Sequence, residues 1–241
     1  MMSRRAWLAL MFVMMAACGR GGDVAGPPPQ SWGKTVVRIE SGHIKVIGTD
    51  GNHLLGGKDW DAAIMKFVCE KFKDEYGIDP RDDEPTKNEL IVACENYKKV
   101  LTKADNVSIQ VKYDGNNGKY TLTREEFDLM TQSLMNATRD VIMGLFNDLK
   151  MTWGDLDEVL LVGGSTRMRQ VTEYLRKNTG KDNIIDHADT DLAVAKGAAI
   201  VSELYCSSKK GLSEHKIIDV TAHSLGALSA SVDNKRYINE I

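Results

Sequence analysis

Two short segments carry residue types at spacings suited to binding a polar ligand. The first is Val162-Gly163-Gly164-Ser165-Thr166-Arg167, which continues the wholly apolar run Val159-Leu160-Leu161-Val162 and precedes a helix expected to begin at Ser165. Glycines at a strand-to-helix turn let the backbone approach a ligand closely, and a helix N-terminus offers N–H groups to hydroxyl or phosphate oxygens. The simpler reading is a glycine turn with Ser165 as an ordinary N-cap. The second segment is the row Glu95, Lys98, Lys99 and Thr102, spaced i, i+3, i+4 and i+7, with Leu90, Ile91, Cys94 and Leu101 filling the buried side of the same helix. Such a row can line a nucleoside cleft, with Glu95 accepting from and Lys98 donating to ribose hydroxyls while Lys99 and Arg167 flank the base. It can equally be a solvated face on which Glu95 pairs with Lys99 one turn on.

The elements that must position these segments follow from periodicity. Thr35 to Glu40 and His43 to Ile47 alternate around Ser41-Gly42 and predict a β-hairpin. Trp60, Ala63, Ile64, Phe67 and Val68 recur at three and four, predicting a helix from near Asp59 that ends at Gly77 and Pro80. A second helix is expected from Thr86 to Leu101, then strands at Val107 to Tyr113 and Lys119 to Leu122, and a third helix capped by Thr123-Arg124-Glu125-Glu126. Ala188 to Tyr205 predicts a further helix, and Ile217-Ile218 opens a β-rich tail running to Ile241. The order is mixed α/β with a buried central strand at Val159 to Val162.

Composition narrows the classes. The 241 residues include 31 basic and 34 acidic side chains, a net charge of −3, without the basic excess of a nucleic-acid platform. Apolar residues at 42% suffice for the core of an ordinary domain. The four cysteines, Cys18, Cys69, Cys94 and Cys206, form no CxxC pair, so neither a disulfide framework nor a metal site is expected. The last three lie in periodic apolar stretches and are read as core thiols.

The N-terminus has its own pattern. Arg4-Arg5 precede the uncharged run Trp7 to Ala17, which is too short to span a bilayer as a helix and ends at Ala16-Ala17-Cys18. Residues 1–17 are therefore expected to be a lipoprotein-type signal peptide, with Cys18 the site of lipidation and a membrane anchor. Residues 18–34, which contain Pro27-Pro28-Pro29, are expected to be a Gly/Pro-rich tether. The competing expectation is a cytoplasmic protein.

Five segments in order carry a family resemblance: Leu54 to Asp61, Cys94 to Thr102, Leu161 to Arg167, Ala193 to Ala199 and Asp219 to Gly226. Together they resemble the 70-kilodalton heat-shock chaperones, the DnaK-like family. The resemblance implies an α/β (α+β) fold, the second lobe (lobe II) of an actin-like ATPase domain over residues 35–206. Residues 207–241 would be the interdomain linker and a truncated start of the peptide-binding β domain. It also implies ATP or ADP as ligand, with Glu95, Lys98, Lys99, Thr102, Gly163, Gly164, Ser165, Arg167 and Asp191 on the adenosine side. Lys99 replaces an arginine common in the family, and Arg169, Thr190 and Ala222 stand where prolines are usual. The family's first lobe, with its phosphate loop, catalytic lysine and Mg²⁺-binding carboxylates, is not recognised here. No catalytic residue or metal site is therefore expected in this chain, nor Mg²⁺ binding or ATPase activity by it alone. Unfolded peptides and a chain supplying the first lobe are the other partners implied. The alternative to a chaperone fragment is a membrane-tethered interaction module that reuses the lobe as a scaffold.

Overall fold

The expected hairpin forms with longer arms. In the computed structural model, which describes residues 7–13, 32–40, 43–52, 54–180, 184–186, 192–209, 217–218, 226–230 and 236–240, strand β2 (Trp32–Glu40) pairs antiparallel with β3 (His43–Asn52). β2 thus begins three residues before the expected domain start at Thr35 and takes in Lys34, which is fully buried. The register slips between Val36 and Val37, a bulge that lets the strands keep pairing on both sides of it.

The larger difference lies upstream. Trp7–Val13 is strand β1, the third member of a six-stranded sheet ordered β7-β6-β1-β2-β3-β8, with β6 (Glu158–Val162), β7 (Ile184–Asp186) and β8 (Ile217–Ile218) as the others. All seven of its residues pair antiparallel with β2, and Ala9 to Val13 pair parallel with Glu158 to Val162. The segment expected to be a leader is a central strand here, because an uncharged run of about this length meets both needs. A short unbroken apolar run lacks the alternation that marks a half-exposed strand, and so fits a leader and a strand alike. Of the expected 18–34 tether, residues 32–34 belong to β2, and Cys18 with the rest of 18–31 lies outside the described residues.

Two helices cross above a smaller hairpin. Helix α1 (Gly57–Tyr76) buries Trp60, Ile64, Val68, Cys69 and Phe72, and stops at Gly77, whose φ is 77°. Helix α2 (Glu84–Leu101) starts at Asp83, whose carboxylate accepts from the Thr86 amide at 2.9 Å. It buries Leu90, Cys94 and Leu101, but Ile91, expected on the same side, is 44% exposed. Strands β4 (Asn106–Tyr113) and β5 (Asn116–Thr123) form the hairpin, and its alternate residues Val107, Ile109, Val111 and Leu122 turn toward these helices. Helix α3 (Arg124–Met130) is entered through the expected capping box, in which the Glu126 carboxylate accepts from the Thr123 amide at 2.9 Å.

Helix α4 (Gln132–Leu149) returns to the sheet and packs on β2 and β3 with Ile142, Leu145 and Phe146. A row of edge-to-face aromatic pairs, Phe146 to Trp153 to Tyr174 with centroids 4.9 and 6.2 Å apart, ties it to helix α5 (Arg169–Thr179). Helix α6 (Ala193–Lys209) leaves Val194, Ile200 and Val201 exposed. Cys206, expected in the core, is exposed there, whereas Cys69 and Cys94 are buried as expected. Strands β9 (Gly226–Ala230) and β10 (Arg236–Glu240) form a separate antiparallel pair in the tail. Among the described residues no helix is long and apolar enough to cross a membrane.

Candidate functional site

The site begins at the end of β6. Val162 leads into Gly163, whose φ of 96° and ψ of 150° suit a residue without a Cβ. A single 3-10 turn follows over Gly164–Arg167, closed by the Thr166 amide donating to the Gly163 carbonyl at 3.1 Å and by the Thr166 hydroxyl donating to the same oxygen at 2.7 Å. Helix α5 starts only at Arg169, with Met168 before it. Ser165 is therefore not its N-cap, a position held by Met168 without a side-chain cap, and the simpler reading of this serine fails because a 3-10 turn intervenes before the helix. Ser165 is buried and Arg167 is exposed.

The row on α2 divides into two kinds of residue. Glu95 and Lys99 lie on the surface and pair at 2.8 Å, as the i, i+4 reading allows. That hydrogen bond from Lys99 holds the Glu95 carboxyl below its ordinary value. Lys98 is nearly buried, and its ammonium donates to the Gly57 carbonyl at 2.9 Å and meets the Asp61 carboxylate at 2.8 Å. Burial pushes the Asp61 carboxyl up, against the opposing pull of the Lys98 hydrogen bond and charge. The Thr102 hydroxyl donates to the Lys99 carbonyl at 2.7 Å, closing the end of α2.

Gly57 is where the two segments meet. A Cβ on this residue would lie 2.7 Å from the Ser165 hydroxyl oxygen and 3.2 Å from the Lys98 nitrogen. The first turn of α1, the polar row of α2 and the turn after β6 thus converge on one point with two polar groups at it. Below this point, Lys98, Thr102, Arg124, Met168 and Gln170 line a small cavity of about 10 Å³ between α2, α3 and the start of α5.

The sequence profile described as "Hsp70 protein" matches residues 31–239, which takes in every element from β2 to β9 and all but the last residue of β10. The chain belongs to the Hsp70 family. Its mixed helix-and-sheet architecture is that of an Hsp70 actin-like ATPase half-domain. The "Chaperone protein DnaK" of Metamycoplasma hominis is 34% identical over 200 residues, covering 80% of this chain and 33% of the relative. The chain spans about a third of the length of this curated relative.

In this Hsp70 chain, Lys98 and Ser165 are brought together, while Glu95 and Lys99 form their own surface pair beside them. Asp191 and Cys18 lie outside the described residues. Two participants were not singled out by spacing, Gly57 and Asp61. The available signal was their position in Gly56-Gly57-Lys58-Asp59-Trp60-Asp61, where a carboxylate stands next to a residue that must be core. Among the described residues there is no cluster of His, Cys, Asp or Glu that could hold a metal ion.

Proposed function

We propose that this chain is a chaperone-lineage module that binds the adenosine part of ATP or ADP weakly, on the surface formed by α2 and the Gly163–Arg167 turn. The convergence of Lys98 and Ser165 on Gly57 supports this reading, since it brings two sequence-remote polar segments to one place. Glu95 would accept from a ribose hydroxyl, and the backbone of Gly163 and Gly164 would allow the nucleoside close. Lys99 and Arg167 would flank the base, and the compact ammonium of Lys99 stacks less well than a guanidinium. Asp191 belongs to the same proposed set.

Phosphoryl transfer needs groups on both sides of the nucleotide to hold γ-phosphate, metal and water. The residues named here reach one side, so binding without strong Mg²⁺ dependence and no hydrolysis by these residues alone are the expectation. A chain supplying the opposite side, and unfolded peptides, are the partners this reading implies. Calorimetry of the full chain with adenosine, ADP and ATP is the test. Weak and similar affinities are expected, each lowered about tenfold by Arg167→Ala or Glu95→Ala through loss of one charged contact. Micromolar, Mg²⁺-dependent ATP binding would refute the one-sided arrangement, and unchanged binding in both variants would return these residues to a solvated face.

A further inference from the structure

Strand β1 is held in the sheet differently from its neighbours. Strands β2 and β3 are joined by residues 41–42 alone, a connection short enough to set their register. β1 and β2 are also antiparallel neighbours, yet eighteen residues, 14–31, separate them, including Pro27-Pro28-Pro29. Such a connection is far longer than the few residues that link paired strands, and it cannot dictate register. The position of β1 is set by the slot itself: seven residues of β2 on one side and five of β6 on the other. Among the described residues, the sheet beyond β6 continues with the three-residue β7 alone, so without β1 these strands would fall into β6-β7 and β2-β3-β8.

We propose that the gap between β2 and β6 is a strand-binding site, filled in cis by Trp7–Val13 and able to exchange that segment for a separate one. Its ligand is an extended, uncharged apolar segment of about seven residues, entering antiparallel to β2 and parallel to β6. Backbone hydrogen bonds on both edges supply affinity. Trp7-Leu8-Ala9-Leu10-Met11-Phe12-Val13 is such a segment, with no charge, glycine or proline. Proteolytic removal of the N-terminus before Cys18 would take this strand away and leave the site open to another.

The test uses the full chain with a protease site placed between Gly22 and Asp23. After folding and cleavage, the N-terminal piece is expected to co-elute with the body. An isotope-labelled peptide of the Trp7–Val13 sequence with lysine flanks is expected to replace it, whereas the same peptide with Leu10→Pro enters about tenfold less, since proline removes a ladder donor. Amide exchange on the uncut chain gives an independent readout: Trp7–Val13 should be protected as strongly as β2. The proposal is overturned if the cut piece separates while the body keeps its unfolding midpoint, if the proline peptide enters equally well, or if the Trp7–Val13 amides exchange freely beside a protected β2.

Discussion

The Lys98 ammonium lies 2.8 Å from the Asp61 carboxylate, joining α1 to α2 where both helices approach the Gly163 turn. Their side chains are only 10% and 13% exposed. A charge so placed has little water to fall back on, so the pair works as a unit: its two halves are tolerated together and not singly. Lys98 thus fixes Gly57 and its surroundings, and the ribose contact expected of it from the polar row would require it to leave Asp61.

Removing one half of the pair should be severe. Lys98→Ala is expected to lower unfolding free energy by about 3 kcal/mol, and Lys98→Met with Asp61→Leu to recover most of it. Urea unfolding of the two variants checks this. A single variant as stable as the parent would mean that the pair is solvated and carries no positional role.

Gly57→Ala separates packing from binding. The added methyl would lie 2.7 Å from the Ser165 hydroxyl, which can rotate away, and 3.2 Å from the ammonium at the end of the long Lys98 side chain, which has only to give slightly, so the unfolding midpoint should fall only modestly. The rotated hydroxyl no longer stands where the two segments converge, and adenosine affinity should fall about tenfold. Calorimetry and thermal unfolding on the same sample test it; intact affinity would remove Ser165 from the site.

The sequence was informative where structure is local. The alternation in Thr35 to Glu40, the spacing of Trp60, Ile64 and Val68, and the Thr123 to Glu126 box each specify an element through neighbours a few residues away. Lys98 was legible only as a member of a polar row, because its partners Gly57 and Asp61 lie in another helix. The start of α5 was displaced from Ser165 to Arg169 because a 3-10 turn shares the glycine and hydroxyl signals of a helix start. Trp7–Val13 could not be told from a leader, since an unbroken apolar run has no period to distinguish strand from helix.

Lys34 should give stability an unusual pH dependence. It is fully buried opposite Asp50, and burial pushes its ammonium down to about 7 from the usual 10.5, against the upward pull of Asp50. Between these values the unfolded chain binds more protons than the folded one, so stability should rise with pH from about 7 toward 10 and the penalty should be complete below 7. Lys34→Met is expected to abolish this rise and to add about 1–3 kcal/mol at pH 6. Denaturant titrations at several pH values decide it, parallel profiles for parent and variant being the contrary result.

The cysteines should divide sharply in reactivity. Burial pushes the Cys69 thiol up to about 11 and the Cys94 thiol to about 12, while Cys206 is exposed. A thiol reagent at pH 8, read by peptide mass mapping, should label Cys206 at once and the other two only as the chain unfolds. Labelling of Cys94 as fast as Cys206 would show that α1 and α2 part readily.

The pairing of Ala9 with Glu158 has a consequence in time. About 150 residues must leave the ribosome between these partners, which at roughly 5–20 residues per second is an interval on the order of 10–30 s. Throughout it, the emerging heptad from Trp7 has one finished neighbour at most, and any factor that greets apolar nascent chains meets it first. Trp7–Val13 therefore gains its second neighbour only late in synthesis, and slowing translation between codons 13 and 158 should lengthen the interval in which this segment is open to protease.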